Sequence, residues 1–369
     1  MRILLVTESY WPNADGGALF ERRLVKGLVD RGHELAVWAP ASKFKSYVQT
    51  DGNYDIYRER AVTMPFNRKY KVSLIPSLRT KKIFKEFKPD AIHIHNPALL
   101  GRTAMRYANR HHIPVLATNH LMPENVFMNI KKHNNYSKWL YKKFWKYLVN
   151  FHNRAQFVTT PTQTALDYLI KNGLKTPSKA VTNGIDTAVF KPLKRSASIA
   201  KKYGIKDKPT VLYLGRVDGE KSIDVIIRAV AKLNDQADCQ LVIAGFGNAL
   251  ESLKKLSKDL KIEKNVVFTG FIDEKDKPMI YNLCDVFVIS SPAELQSIVT
   301  LEAMASAKPI IAVDVAALHE LAHDGENGYL FKKNDFNDLS KKIEKIISDS
   351  KIMKKFGNES LNIINKSHS

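Results

Sequence analysis

Four side chains in this sequence have types and spacing that point to chemistry: Arg216 with Lys221, and Glu294 with Glu302. Arg216 follows the apolar run TVLYL (210–214), and Lys221 starts the next helical pattern. Two cations at the mouth of a strand–turn–helix unit neutralise a diphosphate, the guanidinium as a fork and the ammonium as a point charge. As isolated charges they read equally as a solvated loop. Glu294 falls in the loop after VFVI, and the SIVTLEAMASA that follows reads as a helix closed by Lys308-Pro309. The N-terminus of that helix favours an anion. Glu302 lies more than a turn inside it, where a carboxylate accepts two hydrogen bonds from ribose hydroxyls, as acids do in dinucleotide folds. Glu294, in the loop, is free to face a sugar. The plain alternative is two ordinary acids, one within a helix and one capping it. Near the N-terminus, Thr7-Glu8-Ser9-Tyr10-Trp11-Pro12 ends the first apolar run, and Gly16-Gly17 precede a helix from about Ala18. A glycine pair there lets backbone N–H groups approach a phosphate, or makes a simple turn.

Elements that would position these groups recur along both halves. Short apolar runs occupy 2–7, 34–38, 91–95, 114–118 and 156–160, then 210–214, 240–244, 265–269, 285–289 and 309–313. Helical patterns such as 18–31 and 221–233 separate most of them. Continuous apolar runs alternating with helices predict parallel sheets covered on both faces. Two doubly wound α/β domains follow, and 369 residues are too many for one ordinary core. The polar stretch 190–208 is the expected boundary, giving domains 1–190 and 191–350 and a helical tail 351–369. Ligands of such sheets bind at the carboxyl ends of strands, which puts the expected site in the cleft between the domains.

Composition removes several classes. Cys239 and Cys284 are too few for a disulfide framework or a cysteine-based zinc site, and both lie in apolar runs. No metal cluster or nucleophile motif is evident, and no apolar stretch is long enough to span a bilayer. ILLVT (3–7) after a single Arg reads as a strand and not a signal peptide. The net charge is +21 from 58 basic and 37 acidic residues, but +18 of it lies in residues 1–180. A basic first half points to a polyanion or an anionic membrane, while a lysine-rich proteome would raise both halves alike. No nucleic-acid recognition motif accompanies the charge, so no nucleic acid is expected.

With these residues in view, the chain resembles the family 4 glycosyltransferases of the GT-B fold, along nearly its whole length. The resemblance is carried by Gly16-Gly17, Asn183-Gly184-Ile185-Asp186, Gly215-Arg216 with Lys221, Gly245-Phe246-Gly247, Gly270-Phe271-Ile272, Glu294-x7-Glu302 and Asp324-Gly-Glu-Asn-Gly328. It implies two facing Rossmann-like domains, an acceptor-binding first and a nucleotide-sugar-binding second. It also implies retention at the anomeric carbon, a UDP- or GDP-hexose as co-substrate, and no cofactor or metal. By the same resemblance Arg216 and Lys221 bind the diphosphate, Glu302 the ribose and Glu294 the donor sugar. Backbone at Ile272 would contact the base, and amides at Ser297, Ile298, Val299 and Thr300 would face sugar and phosphate. His120, in TNHLMPEN after PVLAT, matches the histidine beside the transferred sugar. In this family the leaving phosphate oxygen takes the acceptor proton, so no protein base is implied.

Departures from the pattern are local. The usual Glu-Gly-Phe-Gly is Glu294-Leu-Gln-Ser297, Ala307 replaces a glycine after the helix, and Ala316-Ala317 and His319 stand for Gly-Gly and Pro. The chain stops at NKSHS, short of the closing helix the family returns to its first domain. A glycoside hydrolase also needs two carboxylates, but about 5 Å apart, and eight helical residues span about 12 Å. The acceptor side is read from KKHNNYSKWLYKKFWKYLVNFHNR (131–154), which lies in a window, 125–166, without a single acid. On a helical wheel Leu140, Phe144, Tyr147, Leu148 and Phe151 form an apolar stripe, with Lys138, Lys142, Lys143, Lys146 and Trp145 on a separate arc. That pattern, with Trp139 and Tyr10 added, predicts a helix lying on anionic lipid, a lipid or lipid-linked acceptor, and a cytoplasmic enzyme on the inner face of the membrane. The alternatives are a stripe that packs on its own sheet, a soluble or cell-wall sugar acceptor, and a non-catalytic basic protein.

Overall fold

The computed structural model describes residues 1–12, 16–42, 44–64, 67–74, 77–121, 135–234 and 238–369. The chain divides into two compact units, Met1–Val181 and Thr182–Ser369. This division precedes the expected 190/191 boundary because Ile185 and Phe190 are buried in the second unit's core. The tail also belongs there: the helix Ser350–Ser367 buries Phe356 and Ile364 in the same core.

In the first unit the strands are β1 (Arg2–Val6), β2 (Glu34–Pro40), β3 (Tyr47–Asp51), β4 (Tyr54–Glu59), β5 (Ala61–Met64), β6 (Asn67–Ser73), β7 (Ala91–Ile94), β8 (Val115–Thr118), β9 (Phe157–Thr160) and β10 (Ser178–Ala180). Eight form one sheet in the order β10-β9-β8-β7-β1-β2-β4-β3, parallel except where β3 returns antiparallel to β4. β5 and β6 make a separate antiparallel pair. The central strands are apolar on both faces, as a parallel sheet covered by helices requires: Leu4, Leu5, Val6, Val37, Trp38, Ile92 and Ile94 are all fully buried.

The second unit has six parallel strands, β11 (Thr210–Leu214), β12 (Gln240–Ala244), β13 (Val266–Gly270), β14 (Val286–Ile289), β15 (Ile310–Val313) and β16 (Gly328–Phe331). Their order is β13-β12-β11-β14-β15-β16. Each of the two sheets therefore reverses its winding at a central pair, β1 and β7 in the first and β11 and β14 in the second. At such a switch point successive connections leave toward opposite faces, and a crevice opens at the carboxyl ends of the strands. The candidate residues lie on the loops that leave these strands.

Candidate active site

In the second unit the loop after β11 carries Arg216 and Lys221, and the loop after β14 carries Glu294. They meet at the switch point. Lys221 Nζ donates to Glu294 Oε1 at 2.8 Å and to Ser291 Oγ at 3.2 Å. Ser290 Oγ donates back to the Lys221 carbonyl at 2.7 Å. The Lys221 and Glu294 side chains are only 15% and 17% exposed, so this pair is shielded from water. Arg216 is half exposed and pairs with Asp218 and Glu220, while its carbonyl accepts the Tyr213 hydroxyl at 2.7 Å. Both cations thus hold carboxylates where a diphosphate would bring a larger negative charge. Glycines bring the neighbouring loop close. A Cβ on Gly245 would lie 1.8 Å from the Gly215 carbonyl, and one on Gly247 would lie 2.1 Å from that of Val217.

The helix Ile298–Ala305 begins after β14 as the sequence predicts. Ser297 caps it, its Oγ accepting the Thr300 amide at 3.3 Å and the Thr300 hydroxyl at 2.8 Å. The amides of Ile298 and Val299 occupy the first turn, where the helix end is positive. Glu302 lies inside and is 2% exposed, with Oε2 accepting the Tyr281 hydroxyl at 2.8 Å. Burial, then the Glu302 charge, pushes the Tyr281 phenol well up, so it stays a donor. The two carboxylates that a hydrolase would pair are committed to different partners. Ile272 is buried in the core, which leaves its backbone for any ligand contact. Sequence reasoning passed over Gln296. Its Oε1 accepts the Asn183 amide at 2.8 Å, and its Nε2 donates to the Thr182 hydroxyl at 3.0 Å. That hydroxyl also bonds His368 Nδ1 at 2.7 Å, so the loop carrying Glu294 is tied to the start of the unit and to its last helix.

In the first unit Gly16 and Gly17 open the helix Gly16–Asp30. His120 follows β8 and does not stand alone. His93 lies in β7, paired with β8: His93 Nε2 bonds Thr118 Oγ1 at 2.6 Å, and Thr118 bonds Thr159 at 2.6 Å. His95 Nδ1 lies 3.1 Å from His120 Nε2, and Phe20 packs edge-on against both rings. Burial pushes His120 down to about 4 and His93 to about 3. Glu8, directly after β1, accepts the Leu100 amide at 2.7 Å in the first turn of the helix Leu99–Arg110, whose cap residue Ala98 has no polar side chain. Burial raises Glu8 to about 7. The alternating His-x-His in AIHIHNP was the available signal for this cluster, since a strand puts such residues on one face.

Two acceptor-side expectations are corrected here. Tyr10 is fully buried, packed in a core cluster with Leu5, Val25 and Val37, and its hydroxyl meets that of Tyr54 at 3.1 Å. Trp145 is also buried, together with Leu148, Val149 and Phe151, against the sheet of its own unit. The helix Asn135–His152 therefore spends much of its apolar stripe on the core. Among what it leaves exposed are Lys138, Trp139, Lys142, Lys143, Lys146 and Tyr147 of the stripe, with Phe144 half buried. Trp139 is 49% exposed, with Lys143 Nζ 4.2 Å from its ring centre. Residues 131–134 of the basic segment, and 122–130 after His120, lie outside the described residues.

Comparison with known proteins gives these arrangements a context. A family model described as "Glycosyltransferase Family 4" matches residues 14–189, and one described as "Glycosyl transferases group 1" matches 196–362. The chain is 28% identical to an alpha-monoglucosyldiacylglycerol synthase of Streptococcus pneumoniae, over 90% of this chain and 75% of that protein. It is 27% identical to a GDP-mannose-dependent alpha-mannosyltransferase of Corynebacterium glutamicum, over 95% of this chain and 82% of the relative. Among solved structures, sucrose-phosphate synthase from Thermosynechococcus elongatus superposes with a TM-score of 0.81 at 18% identity, covering 100% of this chain and 94% of that one. Anabaena HepE in complex with UDP gives 0.77 at 21%, covering 100% and 96%. At these identities the superpositions establish the fold alone.

Proposed function

The chain belongs to the family 4 glycosyltransferases, with the GT-B fold, and from that premise we propose that it transfers a hexose from UDP or GDP to a lipid or lipid-linked acceptor with retention of configuration. The observation that carries the donor half is the meeting of Lys221 and Glu294 at the β11/β14 switch point. As the sugar–phosphate bond breaks, the diphosphate gains charge. Arg216, Lys221 and the amides of Ser297, Ile298 and Val299 are preorganised donors for that charge, the arrangement that contributes most in such reactions, while the Thr300 amide, expected among them, is taken by the Ser297 cap. Glu294, released from Lys221 by the incoming diphosphate, accepts from sugar hydroxyls, and Glu302 accepts from the ribose. The leaving phosphate oxygen takes the acceptor proton on the same face. Charge at the diphosphate is met by side chains, so turnover should survive EDTA.

The acceptor half rests on the exposed face of the helix Asn135–His152. Four lysines beside an exposed tryptophan suit an anionic lipid surface, where each lysine contributes about 1 kcal/mol. The name of the Streptococcus pneumoniae relative, a glycolipid synthase, agrees with a lipid acceptor. The test offers labelled UDP- and GDP-hexoses to the enzyme with vesicles of anionic phospholipid and diacylglycerol. Nucleoside diphosphate release together with labelled lipid is the expected result, and vesicle binding should weaken with salt and with the quadruple change of Lys138, Lys142, Lys143 and Lys146 to Glu. Release of nucleotide with label only in soluble sugar, or equal vesicle binding by the variant, would overturn the lipid reading and favour a soluble acceptor.

A further inference from the structure

His120 touches its histidine neighbour through one ring nitrogen. Its Nε2 lies 3.1 Å from His95 Nδ1, and the two rings are within 9° of parallel. Burial holds His120 at about 4 and His95 well below its ordinary value, so both are neutral at pH 7. A hydrogen bond between two neutral imidazoles needs the proton on only one of the facing nitrogens. The surroundings of His95 decide which. Its Nε2 is buried and has no partner among the described residues. A proton there would leave a buried N–H unpaired, which is rarer and costlier than an unpaired acceptor lone pair. Its Nδ1 faces two acceptors, His120 Nε2 and, at 3.8 Å, Glu21 Oε1, which itself accepts the Thr7 hydroxyl at 2.9 Å. The His95 proton therefore sits on Nδ1 and is given to His120 Nε2. His120 must then carry its own proton on Nδ1, and no described residue bonds that nitrogen.

We infer that His95 is a positioning residue that fixes His120 as its Nδ1–H tautomer, so that His120 meets a bound sugar oxygen as a hydrogen-bond donor and not as a base. The functional half of this rests on the reading that His120 faces the transferred sugar; the tautomer does not. Glu21, held by the Thr7 hydroxyl, faces His95 Nδ1 from 3.8 Å, and Phe20 packs edge-on against both rings. Nitrogen-15 spectra of histidine-labelled enzyme, with the His120 signals identified by their loss in His120→Gln, read the tautomer directly. A protonated Nδ1 and bare Nε2 on His120 are expected, and the reverse would overturn the inference whatever the enzyme's activity. Kinetics test the consequence. His95→Leu should lower kcat on the order of tenfold, as loss of an orienting partner does, with part of the His120 proton moved to Nε2. His95→Gln, whose amide still donates, should keep most of the turnover. Equal losses in the two variants, both folded by circular dichroism, would mean that His95 only fills space. Unchanged turnover in His120→Gln with the expected spectrum would sink the sugar-facing reading and leave the tautomer standing.

Discussion

Arg216 and Lys221 differ in what removing them should do. Arg216 is half exposed, and its pairs with Asp218 and Glu220 are surface ion pairs worth little to stability. Arg216→Ala should leave the melting temperature almost unchanged and lower turnover about 100- to 1000-fold, the usual loss for one preorganised donor. Lys221→Ala should lose as much turnover and also stability, about 1–3 kcal/mol, because Glu294 would stay largely shielded with its charge unpaired. Turnover near normal in either variant would move the diphosphate site elsewhere. Residue by residue, the placement of Arg216, Lys221 and Glu294 was legible because each falls between a buried strand and the next helix, a place visible in sequence. That Tyr281 would hold Glu302, and Lys221 meet Glu294, was not visible, since those contacts join separate elements of the chain. Trp145 failed for another reason: an aromatic beside lysines reads as interfacial until the sheet it covers is known, and Tyr10, next to Trp11 at a strand end, is likewise taken into the core.

At the level of elements, the ten apolar runs all became strands, and the missed ones share a cause. β3, β4 and β6 are antiparallel or edge pieces with polar, charged or aromatic residues, β5 is a four-residue antiparallel piece, AVTM, and β10 has three residues, SKA. β16 begins at Gly328, where a Cβ would lie 1.7 Å from the Ile310 carbonyl, so the strand's close pairing depends on a residue that pattern reading treats as a breaker. The helix Ile298–Ala305 was read with its stop, and Ala307 after it has φ +54°, the left-handed geometry its family position implies. An L side chain there costs about 1 kcal/mol. The turn is pinned, because a Cβ on Gly357 of the last helix would come 2.3 Å from the Ala307 carbonyl. Ala307→Gly should therefore stabilise the second unit by about 0.5–1 kcal/mol, since relief of strain outweighs the added freedom of the unfolded chain. A calorimetric scan showing a lower melting temperature for this variant would refute the strain.

The two units meet acid in different pH ranges. The first buries His93, His95, His120 and His152, and desolvation lowers all four: to about 3 for His93, about 4 for His120 and His152, and well below 6.5 for His95. Unfolded, each would take up a proton near 6.5. The stability linked to keeping them neutral is complete above that pH and is lost as pH falls from 6.5 toward 4, by about 1.4 kcal/mol per pH unit for each group while it titrates. Glu8 works the other way. Raised from 4.5 to about 7, it favours folding as pH drops through that range, but it is one carboxyl against four imidazoles. In the second unit the lowered groups include Asp276, through Lys202 and Tyr203, and Asp338. A depressed carboxyl contributes stability that is present above 3.8 and lost only below it. His368 is the one lowered histidine there. Acid should thus unfold the first unit before the second. All four tryptophans, Trp11, Trp38, Trp139 and Trp145, lie in the first unit, so their emission reports on it alone. The expected outcome is a red shift of tryptophan emission between pH 6 and 4 while the amides of β11, β12 and β14 remain protected from hydrogen exchange. Coincident loss of both signals, or loss of protection first, would show that the buried histidines do not govern the acid response.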